Sequence, residues 1–167
     1  MSQLTLWFLA TRPKTLVASG IPVIMGSALA YHDGTFSLLG ASVAFVCSVL
    51  IQIATNFINE IYDFRKGADS MGRVGPVRAV SAGLITEQKM IRAAWLVVMM
   101  CFILGMYLVW FRGIIVLIIG IVSLCLAWGY TGGRYSLAYR GLGDIFVFIF
   151  FGLVATAGTY YILHGEL

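Results

Sequence analysis

Five stretches of this chain are each apolar and nearly free of charge over the length that a bilayer demands, and that constrains the fold more than any other feature. They run 16–31, 38–61, 92–110, 113–130 and 145–163. A hydrocarbon layer of roughly 30 Å takes about 20 helical residues. Backbone amides find no water there, so each run is predicted to be an α-helix. The first is short and needs Lys14 to snorkel at its start. Composition closes the alternative of a soluble bundle. Of 167 residues, 60% are hydrophobic and 11% charged, whereas a water-facing domain carries roughly a quarter charged residues. The expected fold is all-α and integral to the membrane, with five transmembrane helices whose outer surface is solvated by lipid.

The net charge of +4 does not point to nucleic acid, because the basic residues sit in loops between the apolar runs. With the N-terminus inside, the cytoplasmic side holds Arg12, Lys14, Arg65, Lys66, Arg73, Arg78, Lys89, Arg92, Arg134 and Arg140, and only Arg112 falls outside. That bias sets the orientation. It puts the loop 63–91 in the cytoplasm and leaves short outer turns near Asp33 and Gly113 as simple connections. The N-terminus lacks the basic start of a signal peptide; Leu4, Trp7 and Phe8 are expected along the interface before Pro13 turns the chain inward.

Cys47, Cys101 and Cys125 each lie inside an apolar run with no CxxC spacing, so they read as small packing residues. His32 and His164 stand far apart and build no metal cluster with them. Gly20, Gly26, Gly105, Gly120, Gly152 and Gly158 are expected where helices approach closely.

The second run ends in a different chemistry: Asn56-Phe-Ile-Asn59-Glu60-Ile-Tyr62-Asp63-Phe-Arg65-Lys66-Gly67-Ala-Asp69. Asn56, Asn59 or Glu60, and Asp63 recur at helical spacing and share one face. A polar face on the last turns of a membrane helix is costly unless it lines a wet cavity. Gly67 is expected to end the helix and let Asp69 return beside Asp63. Carboxylates around a carboxamide suit a hard cation such as Mg²⁺, which takes one or two protein carboxylates and completes its shell with water and phosphate. Arg73 and Arg78 follow, and arginine matches phosphate oxygens in two-point fashion. From the residues alone two readings stay open: a metal–diphosphate site, or a solvated juxtamembrane loop. The loop Tyr130-Thr-Gly-Gly-Arg134 through Gly143-Asp144 faces the same side. Tyr130 and Arg134 are candidates for the pocket wall and Asp144 for orienting an arginine, against an aromatic belt and a helix-end charge.

These residues resemble a known family. Asn59-Glu60-x-x-Asp63 with Lys66-Gly67-x-Asp69, then Arg73-x-Gly75-Pro76-x-Arg78, is similar to the first aspartate-rich motif of the UbiA-type membrane prenyltransferases, most closely the branch acting on 1,4-dihydroxy-2-naphthoate in menaquinone synthesis. Thr11-Arg12-Pro13-Lys14-Thr15, Gly83-Leu-Ile-Thr86, Tyr130-Thr and Gly141-Leu-Gly143-Asp144 support it in order along the chain. The resemblance implies an inner-membrane bundle of nine helices, of which this chain would supply about half. It implies transfer of a polyprenyl group from its diphosphate to dihydroxynaphthoate, with decarboxylation, at a cytoplasmic Mg²⁺ site. Asn59, Asp63 and Asp69 would hold the metal, with Glu60 a further candidate where the family more often has Asp. Asp63, Asp69 and Arg78 would carry catalysis; Asn59, Lys66, Arg73, Arg78, Tyr130, Arg134 and Asp144 would bind substrate.

A second DxxxD motif is absent from the 167 residues. The expectation is therefore the N-terminal part of a longer protein, inactive alone and completed by a C-terminal half. Other acceptors (4-hydroxybenzoate, a chlorophyll precursor, haem) are the alternatives within the family. A small transporter or channel is the alternative outside it, although transporters place polar groups nearer the midplane.

Overall fold

The computed structural model describes residues 2–67, 78–129, 132 and 143–166, without the side chain of Asp144. Its elements in order are α1 (Gln3–Ala10), α2 (Pro13–His32), α3 (Leu38–Arg65), α4 (Glu87–Arg112), α5 (Ile114–Gly129), α6 (Gly143–Val147), a π-helical segment (Phe148–Val154) and α7 (Ala155–His164). Four helical stretches are long and apolar enough to cross a membrane: Pro13–His32, Leu38–Arg65, Glu87–Arg112 and Ile145–His164; the shorter Ile114–Gly129 is also apolar. The chain is a multi-pass membrane protein.

The helices overrun the boundaries drawn from hydropathy because their ends are capped by polar residues. Pro13 occupies the first turn of α2, where a missing N–H is harmless. The Ser37 hydroxyl accepts from the Gly40 amide at the start of α3. With 28 residues, α3 is about 42 Å long, so it rises well past the hydrocarbon. Its extra turns carry Glu60, Asp63 and Arg65. It stops as expected: Lys66 caps it and Gly67 turns the chain with a φ of 62°, a conformation that favours glycine.

α1 lies across the end of α3. Leu6 and Ala10 are buried with Phe57, Ile58 and Ile61, while Leu4 and Phe8 face outward. Trp7, expected at the interface, instead meets Phe57 edge-on at 5.9 Å. After α3, the turn Arg78–Ile85 buries Ala79, Val80 and Ile85 in the same cluster. Ala82, Leu84 and Ile85 amides bond back to the carbonyls of Arg78 and Ala79.

The glycine expectation holds at two of its six positions. A Cβ at Gly26 would come within 2.5 Å of the Thr156 carbonyl oxygen, and one at Gly20 within 2.7 Å of Phe45. Gly152 and Gly158 make only ordinary contacts, and Gly105 and Gly120 have nothing within 4 Å; these last two border a cavity instead. Cys47 and Cys101 face one another across α3 and α4, each thiol near the other's carbonyl, as packing residues should.

The turns after α2 and α4 are more than connections. Arg112, the basic residue set apart by the charge bias, donates to the Ile162 and Leu163 carbonyls at 2.6 and 2.7 Å, capping the last turn of α7. The Tyr160 hydroxyl donates to Asp33 at 2.7 Å, and Thr35 meets His164 at 3.2 Å. Hydrogen bonds from His32 first, then Tyr160, hold the Asp33 carboxyl below its ordinary value. Its contribution is therefore complete above the unfolded pKa and is lost as pH falls through the lowered one.

Replacing Gly26 with leucine should separate α2 from α7 and lower stability by about 1–3 kcal/mol, read as an earlier thermal transition in detergent. Gly105→Ala, which meets open space, should leave that transition in place. Equal behaviour of the two variants would contradict the close approach.

Candidate active site

The polar face of α3 is buried rather than solvated. Relative exposures are 2% for Asn56, 8% for Asn59, 2% for Glu60 and 7% for Asp63. In surroundings that exclude water each such group needs a partner, and the fold supplies them from elements far apart in sequence.

Asp63 takes its partner from the turn before α4. Arg78 Nη2 donates to Asp63 Oδ2 at 2.5 Å, with both side chains about nine-tenths buried. One turn down, Glu60 Oε1 accepts from the Val80 amide at 2.9 Å. The same three-residue step, Arg78 to Val80, thus fastens the turn onto α3 by a charge pair and a backbone bond. Arg65 meets Glu87 at 2.5 Å and ties the end of α3 to the start of α4. The Trp128 indole donates to the Tyr62 hydroxyl at 2.9 Å, bringing α5 to the same end.

Deeper in α3, Asn56 acts on the corner between α1 and α2. Its Nδ2 donates to the Thr11 carbonyl at 2.8 Å and to the Thr15 hydroxyl at 2.9 Å, and its Oδ1 accepts from Gln52 at 3.3 Å. The Thr15 hydroxyl in turn donates to the Arg12 carbonyl at 2.9 Å. Arg12 sits at φ 53°, ψ 70°, the left-handed region, which costs a non-glycine residue roughly 1–2 kcal/mol.

Next to this face lies a cavity of about 450 Å³. Its polar lining includes Arg12, Gln52, Asn56 and Asn59, with hydroxyls from Thr15, Ser48, Thr55, Ser123 and Thr159. Apolar side chains from α2 through α7 and the π-helical segment form the rest, including Val23, Ile51, Phe102, Leu117, Phe146 and Phe150.

Of the residues singled out from the sequence, the structure brings Asn59, Asp63 and Arg78 to one end of α3. Glu60, on the same helix, is turned to the Val80 amide. Lys66 is exposed at the helix cap. Asp144 begins α6, with its side chain outside the described residues; Asp69, Arg73, Tyr130 and Arg134 also lie outside them. Among the described residues no three His, Cys, Asp or Glu side chains gather as a metal cluster. The donor set present, a carboxamide and a carboxylate one helical turn apart with no sulfur or imidazole nearby, still fits a hard cation that binds few protein groups.

Residues 19–167 match the UbiA prenyltransferase family. The chain belongs to that family. It is 37% identical over 170 residues to a 1,4-dihydroxy-2-naphthoate octaprenyltransferase of Escherichia coli, covering 97% of this chain and 54% of that protein. The Bacillus subtilis protein of the same name is 34% identical over 94% of this chain and 50% of its own length. UbiA prenyltransferase domain-containing protein 1 of Danio rerio is 31% identical over 99% and 50%. The chain spans about half the length of the curated relatives it matches. Within this UbiA-family chain, Arg12 and Asn56 are the site residues whose work sequence reasoning missed. The signal was a carboxamide deep in an apolar helix, which has to find a partner.

Arg78→Met should leave the Asp63 carboxylate buried without its cation and destabilise the protein by about 3–5 kcal/mol. Adding Asp63→Asn should recover much of that loss. A denaturation series on the two single variants and the double would expose additive effects, which this pairing forbids.

Proposed function

We propose that this chain carries the diphosphate-holding part of a prenyltransferase that moves a polyprenyl group from its diphosphate onto 1,4-dihydroxy-2-naphthoate. The observation carrying the reading is that Asn59 lines a largely apolar cavity one helical turn from the buried Asp63–Arg78 pair. An allylic diphosphate has that same polarity, a charged head on a hydrocarbon tail. The names of the relatives at 31–37% identity favour dihydroxynaphthoate over the other aromatic acceptors.

In this reading Asn59 and Asp63, with Asp69 from the adjoining loop, hold Mg²⁺, and Glu60 keeps the turn at Val80 in place. The bound ion would supply neutralisation of charge developing on the diphosphate oxygens, lowering the barrier to C–O cleavage. Arg78 does the same from the other side, since a guanidinium fork can serve a carboxylate and a phosphate oxygen together. Arg73 and Lys66 would add positive charge, Tyr130 and Arg134 would wall the pocket, and Asp144 would orient an arginine. The phenylalanine faces of α6 and the π-helical segment shield the allylic cation from water and can stabilise it. The electron-rich ring of the acceptor attacks that cation, the new C–C bond replaces the ring carboxylate, and CO₂ leaves. The chain would act as the N-terminal part of one membrane domain, with a second aspartate-rich motif supplied by a further segment. Its polar end would face the cytoplasm from the inner membrane, following the basic residues.

Purified protein in detergent should bind geranyl diphosphate in Mg²⁺ and at least about tenfold more weakly in EDTA. Asp63→Asn should show the weak value in both while still inserting into membranes. Equal binding with and without the metal would reject the site.

A further inference from the structure

Two nucleophilic side chains that the proposed reaction does not use face each other beside the cavity. Cys47 on α3 and Cys101 on α4 are buried free thiols, and each is directed at the other's main chain. Cys47 Sγ lies 3.9 Å from the Cys101 carbonyl oxygen, and Cys101 Sγ lies 3.7 Å from that of Cys47. Contacts that cross in both directions set the two residues face to face where the helices meet. They are 54 positions apart, so tertiary packing alone pairs them. Both also line the cavity, next to Phe102 and Met106. The third cysteine, Cys125 on α5, is exposed.

A dithiol bordering a largely apolar cavity inside a membrane meets what dissolves in that cavity, which favours a flat apolar oxidant over one carried by water. We propose that Cys47 and Cys101 form a redox-active pair, oxidised to a disulfide between α3 and α4 by a membrane-dissolved quinone. Two S–H bonds break and one S–S bond forms. The two protons and two electrons pass to the quinone, whose carbonyl oxygens become the hydroxyls of a hydroquinone. A disulfide needs α-carbons within about 7 Å and Cβ atoms turned toward each other, and the crossed contacts already supply the facing. The inference rests on the prenyltransferase reading for its oxidant alone. Replacing the ring carboxylate of 1,4-dihydroxy-2-naphthoate by a prenyl group leaves a 1,4-hydroquinone, and loss of two electrons and two protons turns that product into a quinone held in the same bilayer. Accumulated quinone would then staple two helices that wall the cavity in which its precursor was made.

The test treats the purified protein in lipid nanodiscs with 2,3-dimethyl-1,4-naphthoquinone, whose substituted ring positions block thiol addition. The chain is then unfolded, alkylated with N-ethylmaleimide and weighed intact. Untreated protein should take three adducts, one per cysteine. After the quinone it should take one, on Cys125, and dithiothreitol should restore all three. Cys47→Ala and Cys101→Ala should each take two adducts with or without the quinone. The oxidised wild type should also unfold at a higher temperature than the reduced protein, because the bridge closes a long loop and restricts the unfolded chain; neither variant should show that shift. Three adducts after quinone treatment would overturn the proposal. A parallel arm with diamide then separates the causes: a bridge formed by diamide alone rejects the quinone as oxidant, and no bridge with either leaves the pair as packing only. Geranyl diphosphate binding in Mg²⁺, measured on the same preparation, reports separately on the prenyltransferase reading.

Discussion

Two acidic side chains one turn apart, Glu60 and Asp63, and three carboxamides, Gln52, Asn56 and Asn59, are buried on a single membrane helix, and the rest of the structure is arranged to answer them. Water cannot. Each unsatisfied group would cost several kcal/mol in hydrocarbon, so α3 can keep this face only if other segments bring partners to it. Arg78 and the Val80 amide come from the turn before α4, and the Thr11–Thr15 corner comes from between α1 and α2. Two segments are thereby fixed around one helix end. The apolar cluster of Leu6, Phe57, Ile61, Val80 and Met90 packs beneath the same contacts, so hydrogen bonding and burial select the same arrangement.

Packing and emptiness are distributed unevenly around α2 and α3. Gly26 lets α2 meet α7 at backbone distance, and Gly20 admits the ring of Phe45. On the other side, Gly105 and Gly120 face open space beside the cavity. The same residue type therefore serves contact on one side and vacancy on the other. The π-helical stretch Phe148–Val154 belongs with the vacancy, since phenylalanines from it and from the turn before it line the cavity. Such a segment shifts the facing of side chains within a helix and often marks a functional wall.

What could be read from the sequence was what depends on local pattern. Hydropathy located the spans, Gly67 marked the end of α3, and the i, i+4, i+7 spacing put Asn56 and Asp63 on one face. What could not be read depends on contacts between distant residues. Nothing local indicates that Asn56 turns to Thr11, 45 positions earlier, or that Glu60 accepts from the Val80 amide. The span ends were misplaced for a related reason: hydropathy falls where polar residues begin, but α3 continues four residues further, because helices end at caps rather than at the membrane surface. Gly105 and Gly120 show the converse limit. Small residues in an apolar run are compatible with a tight contact or with a hole, and composition does not distinguish them.

The two ends of the bundle are held by different kinds of bond, and the difference bears on where a ligand enters. At the end that holds the turns after α2 and α4, Arg112 caps α7 through backbone carbonyls and Tyr160 reaches Asp33. These bonds complete helix termini, and a ligand has nothing better to offer them. At the other end, where α3 stops, the main contact is a cation on a carboxylate. Both Arg78 and Asp63 can exchange their partner for one of the same charge, a phosphate oxygen for the first and a metal ion for the second, without leaving either side chain uncompensated. A buried ion pair gives modest net stability compared with what is lost when one member stands alone. It therefore resists opening in an empty site and yields when both replacements arrive together. In the proposed reading, a charged head group would therefore enter beside Asp63.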